Sequence, residues 1–304
     1  MYRQVVSLSM YRSRINLDED YTFNSKDLLS KINRTEIVDS LLHTLSSEEK
    51  LIPESQIPLE YENKRRLLRA LLNKREPKPI SELFRNKLKL LLQVEVMDRG
   101  VADVKELKPI SVTIPAAHSK HKDKIVLWQG DITTLKVDAI VNAANNQMLG
   151  CFQPLHACID NAIHSAAGPQ LREDCQTIMD IQQSLENTGD AKITRAYNLP
   201  SKYVLHTVGP IVPHGTELND EKKKQLASCY SSCLELASQI SNIKLIAFCS
   251  ISTGLFGFPK KEATEIAIAT VNDWLTQNPN RFEKVIFNVF SKEDYNEYFQ
   301  AFQK

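Results

Sequence analysis

The sequence predicts an α/β protein in three layers, a sheet with helices on both faces, preceded by a mostly helical extension. From residue 125 onward, short apolar segments alternate with longer segments of helical periodicity, as in a sheet covered by helices on both sides. Before that point the periodicity is helical, and no glycine precedes Gly100. We therefore divide the chain into residues 1–115, called the extension, and residues 116–304, the α/β domain.

Three helices are predicted in the extension, over residues 37–45, 61–72 and 81–96, because apolar residues recur there every three or four positions. Four prolines separate them, since proline cannot continue a helix interior: Pro53, Pro58, Pro77 and Pro79. A strand is predicted within residues 107–114. The basic face of the 61–72 helix is interpreted as solvated, with contact to an anionic partner as the alternative.

A polar linker over residues 115–124 leads into the α/β domain. The predicted strands cover residues 125–128, 139–141, 192–197, 203–208, 245–249 and 285–289. The predicted helices begin at residue 160 and then cover residues 169–185, 221–240, 260–275 and 294–302.

Charge and hydropathy exclude some partners. Lysine plus arginine number 38 against 37 acidic residues, so bulk charge gives no argument for a nucleic acid or an anionic membrane. No apolar run approaches the length of a membrane span. Nothing in the sequence calls for an oligomer, and a monomer is expected.

All six cysteines lie between residues 151 and 249: Cys151, Cys158, Cys175, Cys229, Cys233 and Cys249. Without a secretory signal, they indicate a reducing compartment with metal-binding or buried thiols. The expected location is cytoplasmic. The mitochondrion is the alternative, because residues 1–17 contain three arginines and no acidic residue precedes Asp18.

The segment from Gly150 to Gly168 carries the most distinctive spacing in the chain. Cys151, His156 and Cys158 form C-x4-H-x-C, a ligand set that Zn²⁺ prefers, and Asp160 follows closely. Three protein ligands leave one tetrahedral position open, as in catalytic zinc sites, for either a water or a substrate oxygen. The alternative interpretation is that the cysteines are small buried residues and the histidine is a packing residue.

Three further loops follow predicted strands, where ligands bind in such folds. They are Gly130–Ile132, Asn142–Asn146 and Ser250–Pro259. The last has two glycines and leads into a helix, which suits a phosphate, although such a loop is often only a turn. The asparagine side chains could hydrogen-bond to sugar hydroxyls, or asparagine could be present because it tolerates unusual backbone angles in turns. Asp131 could accept a hydrogen bond from an amino group or cap the next turn.

Taken together, these loops resemble the macrodomain family of ADP-ribose-binding modules and hydrolases. The resemblance covers roughly residues 120–304. Its motifs are Gly130-Asp131-Ile132, the segment 137–145, Asp160 to Gly168, Gly189-Asp190-Ala191, the segment 206–210, and Ser252 to Pro259. A cysteine- and histidine-containing segment replaces the glycine-rich run that many macrodomain hydrolases carry before the aspartate. In this, and in its helical extension, the chain resembles the zinc-dependent branch associated with sirtuin-type ADP-ribosyltransferases.

The resemblance implies a mixed sheet and a role for each matching residue. Asp131 would bind the adenine amino group and the Ile132 amide a phosphate. Asn288 and Phe290 would flank the adenine, and Asn142 and Asn145 would line the distal ribose. The pyrophosphate would lie against Ser252, Thr253, Gly254, Leu255 and Phe256. Zinc would be held by Cys151, His156 and Cys158, with Asp160 and Asn145 as the candidate catalytic residues.

The activity that the resemblance implies is zinc-dependent hydrolysis of mono-ADP-ribosylated protein at C1″ of the distal ribose. The bond would be an ester to Asp or Glu, and the expected partners are ADP-ribose, the modified protein and a sirtuin-type ADP-ribosyltransferase. Two alternatives stay open at this point: a module that only binds ADP-ribose, and a hydrolase of small ADP-ribose esters.

Overall fold

The structure, a computed structural model, describes residues 6–49 and 56–304. Arg3 of the N-terminal segment and the predicted helix-separating Pro53 lie outside the described residues. Within the described ranges, no helix combines the length and the apolarity needed to cross a bilayer.

The strands of the described residues form a six-stranded mixed sheet and a separate two-stranded ribbon. In chain order they are β1 (Ala102–Asp103), β2 (Ile125–Gln129), β3 (Leu135–Lys136), β4 (Ala139–Ala144), β5 (Ala191–Arg195), β6 (Tyr203–Val208), β7 (Leu245–Phe248) and β8 (Lys284–Val289). The large sheet has the order β2-β8-β7-β4-β6-β5. Its strand pairs are parallel except β5 with β6, which confirms the predicted mixed sheet.

The helices of the described residues cover the extension and both faces of the sheet. They are α1 (Leu8–Tyr11), α2 (Lys26–Ser30), α3 (Arg34–Glu49), α4 (Tyr61–Lys74), α5 (Glu82–Arg99), α6 (Ile110–Thr113), α7 (Ile159–Ala167), α8 (Pro169–Gln182), α9 (Asp220–Ser238), α10 (Lys260–Gln277) and α11 (Lys292–Phe302). Helices α9, α10 and α11 pack in series as one layer, and α7 and α8 pack on each other and on the sheet. The arrangement is the three-layer α/β/α fold that the alternation predicts.

The extension has its own apolar core and also shares that of the α/β domain. Helices α3, α4 and α5 bury a cluster that includes Leu42, Leu68 and Leu91. Tyr11 instead packs into the main core, and its hydroxyl accepts a hydrogen bond of 3.1 Å from the Ile193 amide of β5. The start of the extension is thus attached to the far edge of the sheet.

The strand predicted within residues 107–114 is wrong, because the segment contains the short helix α6 instead. Pro109 precedes the first helical residue, and its fixed φ suits a helix start. Ile110 and Ile114 are both buried, four residues apart on one side, which is helical spacing. An apolar run this short fits a strand or a helix equally well from periodicity alone.

Five parallel strands lie side by side in the order β2, β8, β7, β4 and β6. Because they are parallel, their carboxyl ends meet at one edge, and the loops that follow them gather there. The functional site is built at this edge.

Candidate functional site

A cleft of about 470 Å³ opens at the carboxyl ends of the parallel strands β4, β7 and β8. Twelve of the residues that the sequence singles out line it: Asn145, Cys151, His156, Cys158, Asp160, Ser252, Thr253, Gly254, Leu255, Phe256, Asn288 and Phe290. Residues from four separate segments of the chain therefore meet where the parallel strands end.

One wall of the cleft is the segment 149–158, called here the cysteine-histidine loop. Its second residue is Gly150, where φ is +79° and an added Cβ would lie 2.7 Å from Cγ of His164. Only glycine fits both the left-handed backbone and the close approach to that ring. The Sγ atom of Cys151 lies 3.5 Å from Nδ1 of His156. Cys158 follows directly before α7, and its Sγ accepts a hydrogen bond of 3.4 Å from the Asn161 amide.

The donor set of the loop fits a zinc ion. One ligand atom each from Cys151, His156 and Cys158 lies within 4.8 Å of the other two, which suits a central ion bonded at about 2.0 to 2.3 Å. Burial raises the pKa of the Cys158 thiol to about 11. Both thiols are half-buried, and soft sulfur with imidazole nitrogen selects zinc over the hard cations.

Asp160 lies beside these ligands in the first turn of α7 and is buried. Its Oδ1 accepts a hydrogen bond of 2.8 Å from Nδ2 of Asn142, and its Oδ2 accepts one of 3.4 Å from Nδ2 of Asn145. Burial raises the pKa of the Asp160 carboxyl to about 6, and the Asn142 hydrogen bond opposes that shift. The two asparagines hold one carboxylate in a fixed orientation at the cleft wall.

Asn142 was predicted to line the distal ribose, but the structure buries it completely beneath Asp160. Besides Asp160, its Nδ2 is 3.2 Å from Nδ1 of His206 on the neighbouring strand β6. Nε2 of His206 is in turn 3.0 Å from the Thr194 hydroxyl of β5. Asn142 therefore does not line the cleft itself and acts on it by orienting the Asp160 carboxylate. This supporting role of His206 was not predicted from the sequence.

Asp131 and Ile132 lie outside the residues that line the cleft. Oδ1 of Asp131 accepts from the Thr133 amide at 2.9 Å, so this side chain caps the following turn, as the alternative interpretation held. Its Oδ2 accepts a hydrogen bond of 2.9 Å from Nη1 of Arg99 in α5. Ile132 is buried.

The loop after β7 has the features of an anion cradle. Its turn is closed by hydrogen bonds from the Gly257 amide to the Gly254 carbonyl and from the Phe258 amide to the Ser252 carbonyl. Among the described residues, the N–H groups of residues 253–256 make no backbone hydrogen bond. The buried Ser252 hydroxyl also has no protein partner there. Adjacent free donors at a loop of this kind suit a phosphate.

Two apolar side chains project at the rim of the cleft. Leu255 is 72% exposed and Phe290 is 79% exposed, so both side chains are accessible to a ligand in the cleft. Asn288, below Phe290, is buried, and its Nδ2 donates 2.9 Å to the Gly130 carbonyl. Phe258, in the same loop as Leu255, is only 2% exposed and packs in the main apolar core.

A third cysteine, which was not predicted to be part of the site, also lies close to it. Cys249, the first residue after β7, lines the cleft and is buried. The sequence feature that could have indicated its role is its position at the end of the predicted strand 245–249, where ligand-binding loops begin. No local sequence pattern, by contrast, predicts the contacts of the extension with the cysteine-histidine loop.

The fold and the cleft define a three-layer α/β ligand-binding domain, and comparisons with known proteins give its family. The macro domain family matches residues 141–267. A protein-ADP-ribose hydrolase from Treponema medium is 49% identical over 239 residues, which cover 79% of this chain and 87% of that protein. This chain belongs to the macro domain family and has protein-ADP-ribose hydrolases as homologues.

Two further relatives extend the comparison. A probable bifunctional ADP-ribose hydrolase/ADP-ribosyltransferase from Fusarium oxysporum f. sp. cubense is 44% identical over 248 residues, covering 78% of this chain and 40% of that protein. The crystal structure of a Trypanosoma brucei macrodomain in complex with ADP-ribose superposes with a TM-score of 0.56 and 30% identity. That match covers 74% of this chain and 91% of that one.

Proposed function

We propose that this protein hydrolyses the bond between ADP-ribose and a modified protein side chain and releases free ADP-ribose. The observation that carries the proposal is that a buried carboxylate, Asp160, and a cluster of three metal ligands share one wall of the cleft. A module that only binds ADP-ribose needs neither. The names and the identity of the curated relatives support the same reaction.

The cleft offers a place for each part of ADP-ribose. The free N–H groups of residues 253–256 would bind the pyrophosphate. Phe290 and Asn288 would flank the adenine, and Asn145 would contact the distal ribose. Asp131 lies beside the cleft lining, one residue after the Gly130 that Asn288 contacts, and would accept from the adenine amino group with a lone pair that its bonds to Thr133 and Arg99 leave free.

The bond that breaks joins C1″ of the distal ribose to the oxygen of an Asp or Glu ester. A water oxygen forms the new bond to C1″, and the side-chain carboxylate leaves with the bonding electrons. Asp160 takes the proton of the water and stabilises the positive charge that develops at C1″. A carboxylate with a pKa of about 6 can accept a proton at neutral pH.

Zinc is proposed as the metal of this site, held by Cys151, His156 and Cys158. When bound, it supplies Lewis acidity beside the scissile bond and lowers the pKa of water to about 7. A sirtuin-type ADP-ribosyltransferase is proposed as the enzyme that makes the substrate. The relative whose name joins hydrolase and ADP-ribosyltransferase supports that pairing.

The test measures free ADP-ribose released by the full chain from a mono-ADP-ribosylated protein and from a small ADP-ribose ester. We expect release from the protein conjugate. Release from the small ester alone would replace the protein substrate with a small one. Binding of ADP-ribose without release from either would contradict the proposed hydrolysis and leave a binding module.

Replacing Phe290 with alanine is expected to weaken ADP-ribose binding by about 1–2 kcal/mol, because stacking of a base on an aromatic ring is worth roughly that amount. Isothermal titration of ADP-ribose measures it. The control is Phe23→Ala, which removes a partly exposed aromatic residue of the extension that does not line the cleft. Equal affinities for Phe290→Ala, Phe23→Ala and the unmodified protein would remove Phe290 from the adenine site.

A further inference from the structure

Helix α4 of the extension contacts the cysteine-histidine loop directly. Asn73, in the last turn of α4, is only 2% exposed. Its Oδ1 accepts a hydrogen bond of 3.0 Å from the backbone N–H of Leu155, 82 residues further along the chain. Its Nδ2 donates 3.0 Å to the Ser165 hydroxyl of α7. One side chain of the extension thus joins the loop to the helix that carries Asp160.

The residue that Asn73 contacts has a strained backbone. Leu155 has φ of +58°, in the left-handed region that a residue with a branched side chain adopts at an energetic cost. It directly precedes His156, so its conformation sets the direction in which the chain presents the imidazole. A strained residue persists only where its surroundings hold it, and the Asn73 hydrogen bond is such a restraint.

A second residue of α4 continues the same polar network. Nη2 of Arg69 donates 2.8 Å to Oδ1 of Asn161, which is fully buried in α7. Nδ2 of Asn161 donates a hydrogen bond of 3.1 Å to the Gln153 carbonyl, and the backbone N–H of Asn161 donates one to Sγ of Cys158. The loop is therefore held by side chains on both sides of His156.

Arg172 of α8 fastens the end of α4 to the start of the loop. Its Nη1 donates to the carbonyls of Leu72, Asn73 and Arg75 at 3.1, 3.1 and 2.5 Å, and its Nε donates 2.7 Å to the Leu149 carbonyl. This guanidinium is buried and satisfies carbonyls at the C-terminal end of the helix. The end of α4 therefore has a fixed position relative to the loop.

We propose that helix α4 orders the metal site through Asn73, which acts as a positioning residue. Asn73 holds Leu155 in its left-handed conformation, and this places His156 between the two cysteines. The inference rests on the proposed zinc site. Asn73 touches neither ligand atoms nor the substrate, and acts by ordering the loop before metal binds. Outer partners that orient metal ligands typically contribute about 10- to 100-fold in metal affinity.

The experiment compares the full chain with Asn73→Ala in two readouts. The first is the zinc dissociation constant, from competition with a chromophoric chelator, and we expect it to rise about tenfold. The second is amide hydrogen exchange of residues 149–158 in zinc-free protein, which we expect to become faster. Asn73→Asp, which keeps an acceptor for the Leu155 N–H, should return both towards the unmodified protein.

Asn63→Ala is the matched control, because Asn63 lies exposed on the same helix. Should Asn73→Ala fail to fold, Ser165→Ala removes the acceptor of the Asn73 amide at smaller cost and should show the same changes, only weaker. Unchanged zinc affinity and exchange in a folded variant would overturn the inference. If the unmodified protein binds no zinc, the proposed metal is wrong, and the exchange rates still decide whether Asn73 orders the loop.

Discussion

Asp160→Asn is expected to lower hydrolysis of mono-ADP-ribosylated protein by at least about 10²-fold, the usual contribution of a positioned proton acceptor. The amide cannot take a proton from water or offset positive charge at C1″. Its Oδ1 can still accept from Asn142, so the local structure should be retained. The measurement is kcat on the protein conjugate, with ADP-ribose affinity determined on the same sample and expected to change by less than about threefold.

Asp180→Asn is the matched control, since Asp180 lies exposed on α8 away from the cleft. We expect that variant to turn over at the rate of the unmodified protein. Full activity in Asp160→Asn would show that the carboxylate has no chemical role and would leave the reaction to the metal ligands. A parallel loss of ADP-ribose binding would indicate a binding role for Asp160 instead.

Cys158→Ser is expected to abolish stoichiometric zinc and to reduce hydrolysis by about 10²-fold or more. Serine is a hard, weakly acidic ligand, and two remaining ligands do not hold zinc as three do. Metal analysis of the purified protein and release of ADP-ribose measure the two effects.

The comparison variant is Cys233→Ala, which removes a thiol that is buried in the main core, away from the ligand cluster. It should lose some stability and keep both zinc and activity. If Cys158→Ser retained zinc and turnover, the cysteines would not be metal ligands, and the alternative interpretation as small buried residues would hold.

Much of the cleft was predictable from the sequence because its parts are local. Cys151, His156 and Cys158 lie within one short loop, so their spacing alone indicates a shared site. The loops after β4, β7 and β8 come together because parallel strands end at the same edge of a sheet. No knowledge of individual side-chain contacts is needed for either step.

Whether a particular residue lines the cleft or is buried beneath it could not be predicted from the sequence. Strand β4 is buried on both faces, so its sequence has no polar alternation to show which residues reach the cleft. Asn142 and Asn145 therefore looked equivalent, although one is buried under Asp160 and the other lines the cleft. The distinction depends on the packing of α7 against β4.

The part played by the extension could not be inferred from local patterns either. Arg69 and Asn73 lie on a helix whose basic face was interpreted as solvated, and Arg69 instead meets a buried asparagine of α7. These contacts join residues about 80 to 90 positions apart, and neither periodicity nor composition encodes such pairs.

We propose that the metal site and Asp160 together hydrolyse ADP-ribosylated protein. The most direct measurement determines zinc content and ADP-ribose release on the same samples of as-purified, chelator-stripped and zinc-restored protein. We expect activity to disappear with the zinc and to return with about one equivalent of it. Full turnover by stripped, metal-free protein would contradict the account and would leave Asp160 to carry the reaction without a metal.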